Sequence, residues 1–200
     1  MTDTTVDIVD ELAGIIPGSP LDELRRRRPV TRAQLQASHD ALFEPLDDAE
    51  FTLAERVLVA AFATRSTAPD ATADYYAGRA AEVDPDRASV VLAEAATHAV
   101  AGPFGSYHEA GLGAESTDGE RYSAGERAIA ALGAHLAAAL EHAHLLVFRP
   151  READGPALDR LTRAGWSVDG IVTLSQLVAF LAFQQRVAAG LRVLRTEVAA

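Results

Sequence analysis

The chain has 200 residues, of which 48% are apolar and only 6% aromatic; much of the apolar share is alanine, which predicts one all-α domain packed helix on helix. It has no cysteine, which excludes thiol, disulfide and sulfenic-acid chemistry within the chain. A net charge of −11 and a pI near 4.9 argue against sequence-independent binding to a phosphate backbone.

The first fifty residues predict an arm of short helices, of the kind that wraps its own domain or a partner subunit. Val6 to Ile16 is amphipathic and meets Pro17-Gly18. Ser19-Pro20 supplies an N-cap and a proline at the first helical position, and Leu21 to Arg28 follows. The run Arg25 to Arg28 reads as a solvated helix end. Thr31 is expected to cap a third helix ending at Glu44-Pro45, with His39 on its surface.

The main domain is expected over residues 51–200. Thr52 and Glu55 form a Thr-x-x-Glu capping box, so capping alone explains Glu55. The helix they start carries Leu53, Val57, Leu58, Ala61 and Phe62 at helical spacing, with Arg56 expected to pair with a carboxylate. Pro69 and Pro85 are expected to open the next two helices. Residues 101–122, with Gly111, Gly113 and Gly119, predict a long ordered loop that holds Phe104, Tyr107, His108, Glu115 and Tyr122.

Ser123 with Glu126 suggests a second capping box, and one alanine-rich helix is expected from Gly125 to Phe148, stopped by Pro150. A short helix follows over Pro156 to Ala164, and Ser167 caps the last, Val168 to Val198. Gln176, Gln184, Gln185 and Arg186 interrupt that last helix, so no membrane span is expected. Met1 to Asp10 lacks the basic start of a secretory leader, and a cytoplasmic protein is the expected case.

Leu53-Ala54-Glu55-Arg56-Val57-Leu58-Val59-Ala60 is similar to one helix of the carboxymuconolactone decarboxylase and alkylhydroperoxidase D-like superfamily. A second stretch is also similar. It runs from Leu145 through Arg149-Pro150 and Ala164-Gly165-Trp166-Ser167 to Phe180, Phe183, Arg186 and Gly190-Leu191. The chain most resembles the peroxidase-related branch, over about two-thirds of its length. The resemblance implies an all-α bundle, a homo-oligomer, no bound cofactor or metal, and possible assembly with a cysteine-bearing relative.

In the peroxidases of that family a Cys-x-x-Cys-x-x-x-His motif and a relay Glu do the chemistry. Aligned on Arg56, those places hold Pro69, Thr72, Tyr76 and Val57. None of the four supplies a thiolate or a group that titrates near neutrality. The expected role is therefore a non-catalytic or regulatory family member. The alternative is a cysteine-independent enzyme or binder using acid and base residues, with Tyr76, His98, His108, Glu115, Glu55 and Arg186 as candidates. Among these, His108 in the long loop is the best single candidate. Tyr76 otherwise fills the volume left by the missing histidine, and a buried Arg186 would need a structural partner.

The remaining histidines do not suggest a metal. His142 and His144 lie two apart on a helix and point to different faces. His135 and His142 are seven apart, longer than a shared ion normally allows. No nucleic-acid, membrane, metal or cofactor partner is expected. A homo-oligomer is, because the last helix is apolar on more than one face.

Overall fold

The computed structural model describes residues 7–198. The described residues form helices joined by turns, with one isolated bridge between Gly105 and Thr117 and no strand. The chain is all-α.

Helix α4 (Leu53–Thr67) is the hub, packed against α5 (Ala71–Val83), α6 (Pro85–Thr97), α8 (Ala134–Phe148) and α10 (Val168–Val198). It has no polar face between Val57 and Ala63, so it lies at the centre of the bundle with all of those residues buried. Its two buried hydroxyls are satisfied internally: Thr64 donates to the Ala60 carbonyl and Ser66 to that of Phe62. Around it pack Leu136, Leu140, Leu174, Leu177 and Leu181.

The capping box forms as expected, with Thr52 Oγ1 and Glu55 each accepting the other's backbone N–H. Pro85 opens α6, Asp154 caps α9 (Gly155–Arg163), and Ser167 accepts the Gly170 N–H at the start of α10. Other starts differ from expectation. Pro29, not Thr31, begins α3 (Pro29–Phe43), because proline's fixed φ suits the first helical position. Asp70 caps α5 through the N–H groups of Thr72 and Ala73, so Pro69 lies outside that helix.

The expected helix from Gly125 to Phe148 is two. Gly133 sits at φ +82° and splits α7 (Glu126–Leu132) from α8 with a turn of 119°. That backbone conformation favours glycine, and the alanines on either side concealed the break. Ser123 does not cap α7 either; its hydroxyl donates to Glu141 at 3.0 Å.

The arm wraps its own domain. The expected first residue of its first helix, Val6, lies outside the described residues; α1 (Ile8–Ala13) ends at Gly14, in the left-handed region at φ +64°. A Cβ on Gly14 would stand 2.2 Å from the Arg195 guanidinium, which donates to the Ala13 and Gly14 carbonyls. Ile8, Val9 and Leu12 pack with Leu35 and with Ala188 of α10. The arginine run is not uniformly solvated. Arg25, on α2 (Pro20–Arg26), is half-buried between Asp7 and Asp10, and Arg32 joins the same two acids at 2.8 and 2.6 Å.

Helix α10 is long and apolar enough, by length and composition, to cross a membrane over Val168–Thr196, with a mean hydropathy of 1.3. Its Gln184 and Gln185 are buried in the bundle. Gln185 donates to the Thr64 carbonyl at 3.1 Å and to Asp70, and Gln184 accepts from Tyr76.

Candidate functional site

The residues singled out in the sequence are spread over the molecule. Tyr76 is fully buried against Phe43 and Tyr75, and its hydroxyl donates to Gln184 Oε1 at 2.7 Å. Burial pushes its ionisation far above the ordinary tyrosine range. Thr72 is buried one turn earlier with its hydroxyl unpartnered, and Gln185 and Arg192 close over Asp70 beside it. Glu55 adds to its capping role a polar contact with His135 Nδ1 at 3.0 Å. The His135 ring stacks on Trp166 at 4.2 Å.

His108 and Glu115 lie exposed near the tip of the loop, Glu115 ending a 3-10 turn at Ala110–Glu115. Arg186 is exposed on α10 rather than buried in an ion pair; its guanidinium donates to the Ala182 carbonyl of its own helix. Arg56 is buried but has no carboxylate partner among the described residues, donating instead to the Phe51 and Leu42 carbonyls. His39 is buried rather than on the surface. Its ring packs on Phe43, and burial lowers its pKa.

The feature that gathers chemical groups is a cavity of about 200 Å³ between residues 121–124, α8 and α9. Its walls include Arg121, Tyr122, Glu141, His142, His144 and Arg160. None of the acid–base candidates Tyr76, His98, His108, Glu115, Glu55 and Arg186 lines it, whereas His142 and His144, weighed in the sequence only as metal ligands, do. Helix α8 supplies both histidines because its Ala-Leu-rich surface is enclosed on most sides, so residues two apart are both buried.

Three contacts shape the cavity. Glu141 accepts from Ser123 Oγ at 3.0 Å and from the Ala124 N–H at 2.8 Å, which fastens the 121–124 segment to α8. Tyr122 donates to Glu94 at 2.9 Å, with its ring against Phe62, His98 and His144. Glu152 takes two hydrogen bonds from Arg149, at 2.8 and 2.7 Å, and pairs with Arg121. The bidentate Arg149 contact holds the Glu152 carboxyl down at about 2. Arg149 also donates to the Gly119 carbonyl, and Glu152 accepts the Ser106 N–H, so the long loop is pinned at the rim.

The histidines are neutral. Burial, with a smaller push from the Arg160 charge, lowers His142 to about 4. Burial also lowers His144. The Ser175 hydroxyl gives its hydrogen to the Ile171 carbonyl at 2.8 Å, so its oxygen can only accept from His142 Nε2, 3.4 Å away. With the Ser175 hydrogen so directed, the His142 proton is assigned to Nε2, which leaves a lone pair on Nδ1. Nδ1 of His142 and Nε2 of His144 are both buried without a hydrogen-bond partner. Arg160 is exposed and has no ion-pair partner among the described residues.

No group of three or more His, Asp or Glu side chains suited to a metal ion occurs among the described residues. The signal for this site was present in the sequence. His142 and His144 sit among the alanines and leucines in the second half of Ala134–Phe148, so they are buried if that face is, and burial favours the neutral imidazole. No protein-family model, no curated protein and no solved structure matches the chain.

Proposed function

We propose that the chain is a cysteine-free member of the carboxymuconolactone decarboxylase and alkylhydroperoxidase D-like superfamily. In this reading it performs no thiol chemistry and holds a small polar molecule in the cavity between α8 and α9. The similarity of the Leu53–Ala60 and Leu145–Leu191 stretches supports the family, and the zero cysteine count supports the loss of peroxidase action.

The observation that carries the binding role is the pair of neutral, buried histidines with unpartnered ring nitrogens in the cavity wall. A buried polar atom without a partner is costly, and a ligand that supplies the missing hydrogen bond relieves that cost. The His142 Nδ1 lone pair calls for a hydroxyl or N–H donor, and unpaired Arg160 calls for an anion. Together they describe a small hydroxy-carboxylate.

Glycolate is the simplest probe, with acetate as the control that lacks the hydroxyl. Calorimetric titration should show glycolate binding more tightly than acetate, with His142→Leu and Arg160→Gln each weakening glycolate about tenfold. Equal binding of the two acids, or variants that bind as the parent does, would contradict the proposal.

Self-association is the second reading. Helix α10 shows Val168, Val172, Phe183, Val193 and Leu194 to solvent along a single face. A sedimentation measurement that finds only monomer across the micromolar range would remove it.

A further inference from the structure

A second hollow lies away from the histidine cavity, where the ends of α4 and α8 meet the middle of α10. Pro150 stops α8 at Phe148, and the chain from Val100 to Phe104 docks across that end. The Phe104 N–H donates to the Phe148 carbonyl at 2.6 Å. Gly102 approaches so closely that a Cβ there would lie 3.2 Å from the Phe148 ring. The result is a groove of about 430 Å³.

Most of its lining side chains are apolar, Val100, Pro103, Leu146, Val147, Pro150 and Ala182 among them, with polar atoms sharing the surface between them. Two lining residues carry polar side chains. The Thr67 hydroxyl already gives its hydrogen to the Ala63 carbonyl at 2.8 Å. Arg186 is the one charged lining residue, and its guanidinium uses a single N–H, to the Ala182 carbonyl at 3.0 Å. No carboxylate lies within ion-pair reach of it among the described residues, although the chain carries eleven more negative than positive charges.

We infer that this groove binds a carboxylic acid with a hydrocarbon body, the apolar walls taking the chain and Arg186 the carboxylate. A guanidinium has five N–H donors in a planar fork, and four of these remain for a two-point contact with a carboxylate. The apolar walls, left wet in the empty groove, gain by covering. A phosphate or a small polar acid would leave those walls exposed, and a neutral lipid would leave Arg186 unmatched. The charge pattern therefore selects an amphipathic acid.

This inference does not depend on the histidine cavity. The test uses the full chain and two probes of equal length, octanoate and octanol, kept below the concentration at which they aggregate. Octanoate should bind at least about tenfold more tightly than octanol, and Arg186→Gln should erase that difference. Arg186→Lys should recover only part of it, because a lysine ammonium cannot make the forked contact. His142→Leu should leave octanoate binding unchanged, which separates this site from the cavity. Arg186 is exposed, so its variants should keep the parent's circular dichroism and melting temperature.

Equal affinity for acid and alcohol, undiminished octanoate binding by Arg186→Gln, or no binding of either probe would overturn the inference. So would octanoate binding that falls as protein concentration rises with dimer formation in sedimentation, since a second copy would then be the occupant of the groove.

Discussion

The arm and the histidine cavity both bury polar side chains, but they treat the charged ones in opposite ways, the arm's His39 alone sharing with the cavity histidines a buried nitrogen without a partner. In the arm, Asp7 caps α1 through the Val9 and Asp10 N–H groups and also receives Arg25 and Arg32. Asp22 accepts from Arg26 and from the Gly18 N–H. The charged groups there meet opposite charge or backbone donors. In the cavity, two histidine nitrogens have no partner and Arg160 has no counter-ion among the described residues. A satisfied network fixes a structure, while an unsatisfied one keeps binding capacity in reserve. The arm's network holds the fold, and the cavity's unmatched groups are what the proposed binding role rests on.

The contrast is sharpest when each region loses one polar group. Asp7→Ala strands two arginines and uncaps α1, and should cost about 3 kcal/mol in chemical denaturation. A loss under about 1 kcal/mol would show that the arm network is only decorative.

Acid should act on the buried histidines first and on the paired carboxylates at lower pH. His142 is held at about 4 in the folded chain against 6.5 when unfolded. The unfolded state therefore takes up a proton first as pH falls, and folding stability drops between about pH 6.5 and 4. That histidine alone is worth roughly 2–3 kcal/mol over this range, and the lowered His39 and His144 add in the same direction. The carboxylates act lower. Arg149 holds Glu152 at about 2, and Asp7 is also lowered, its arginine contacts outweighing its burial, so their stabilisation is lost below about pH 4.5. Denaturant midpoints measured from pH 7.5 to 3.5 should show two steps. A flat profile between 6.5 and 4.5 would contradict the neutral histidines.

The smallest effect is at neutral pH. His142→Leu removes a group with an unpartnered nitrogen from an apolar helix, so its stability should stay within about 1 kcal/mol of the parent. The same variant should reduce the first acid step to what His39 and His144 contribute. A loss of several kcal/mol at pH 7.5 would show that His142 is structural, like Asp7.

Much of the fold was legible in the sequence, because local signals and packing agreed. Thr52 with Glu55, Pro85, Asp154 and Ser167 mark helix starts whose caps form as the residue types require. Legibility failed where two signals competed. Asp70 displaced Pro69 as the start of α5, and Gly133 broke a run of alanines that otherwise reads as one helix. The arginines were misjudged for a related reason. Arg25 and Arg56 find their partners through tertiary packing, with Asp7, Asp10 and backbone carbonyls that no local spacing reveals.

The candidate site was less legible. A loop histidine such as His108 draws attention because loops carry function, yet it stands exposed and apart from the cavity. His142 and His144 were judged by whether they could share a metal. The more useful question was what an apolar helix does to an imidazole, namely bury it and hold it neutral.

The central claim is that the cavity keeps a neutral histidine whose Nδ1 lone pair is free to accept. Long-range proton–nitrogen NMR of the imidazoles, followed from pH 7.5 to 3.5, reads this directly. The account predicts that His142 carries its proton on Nε2 and stays neutral until the pH approaches 4. A His142 that protonates near pH 6.5, or carries its proton on Nδ1, would contradict it.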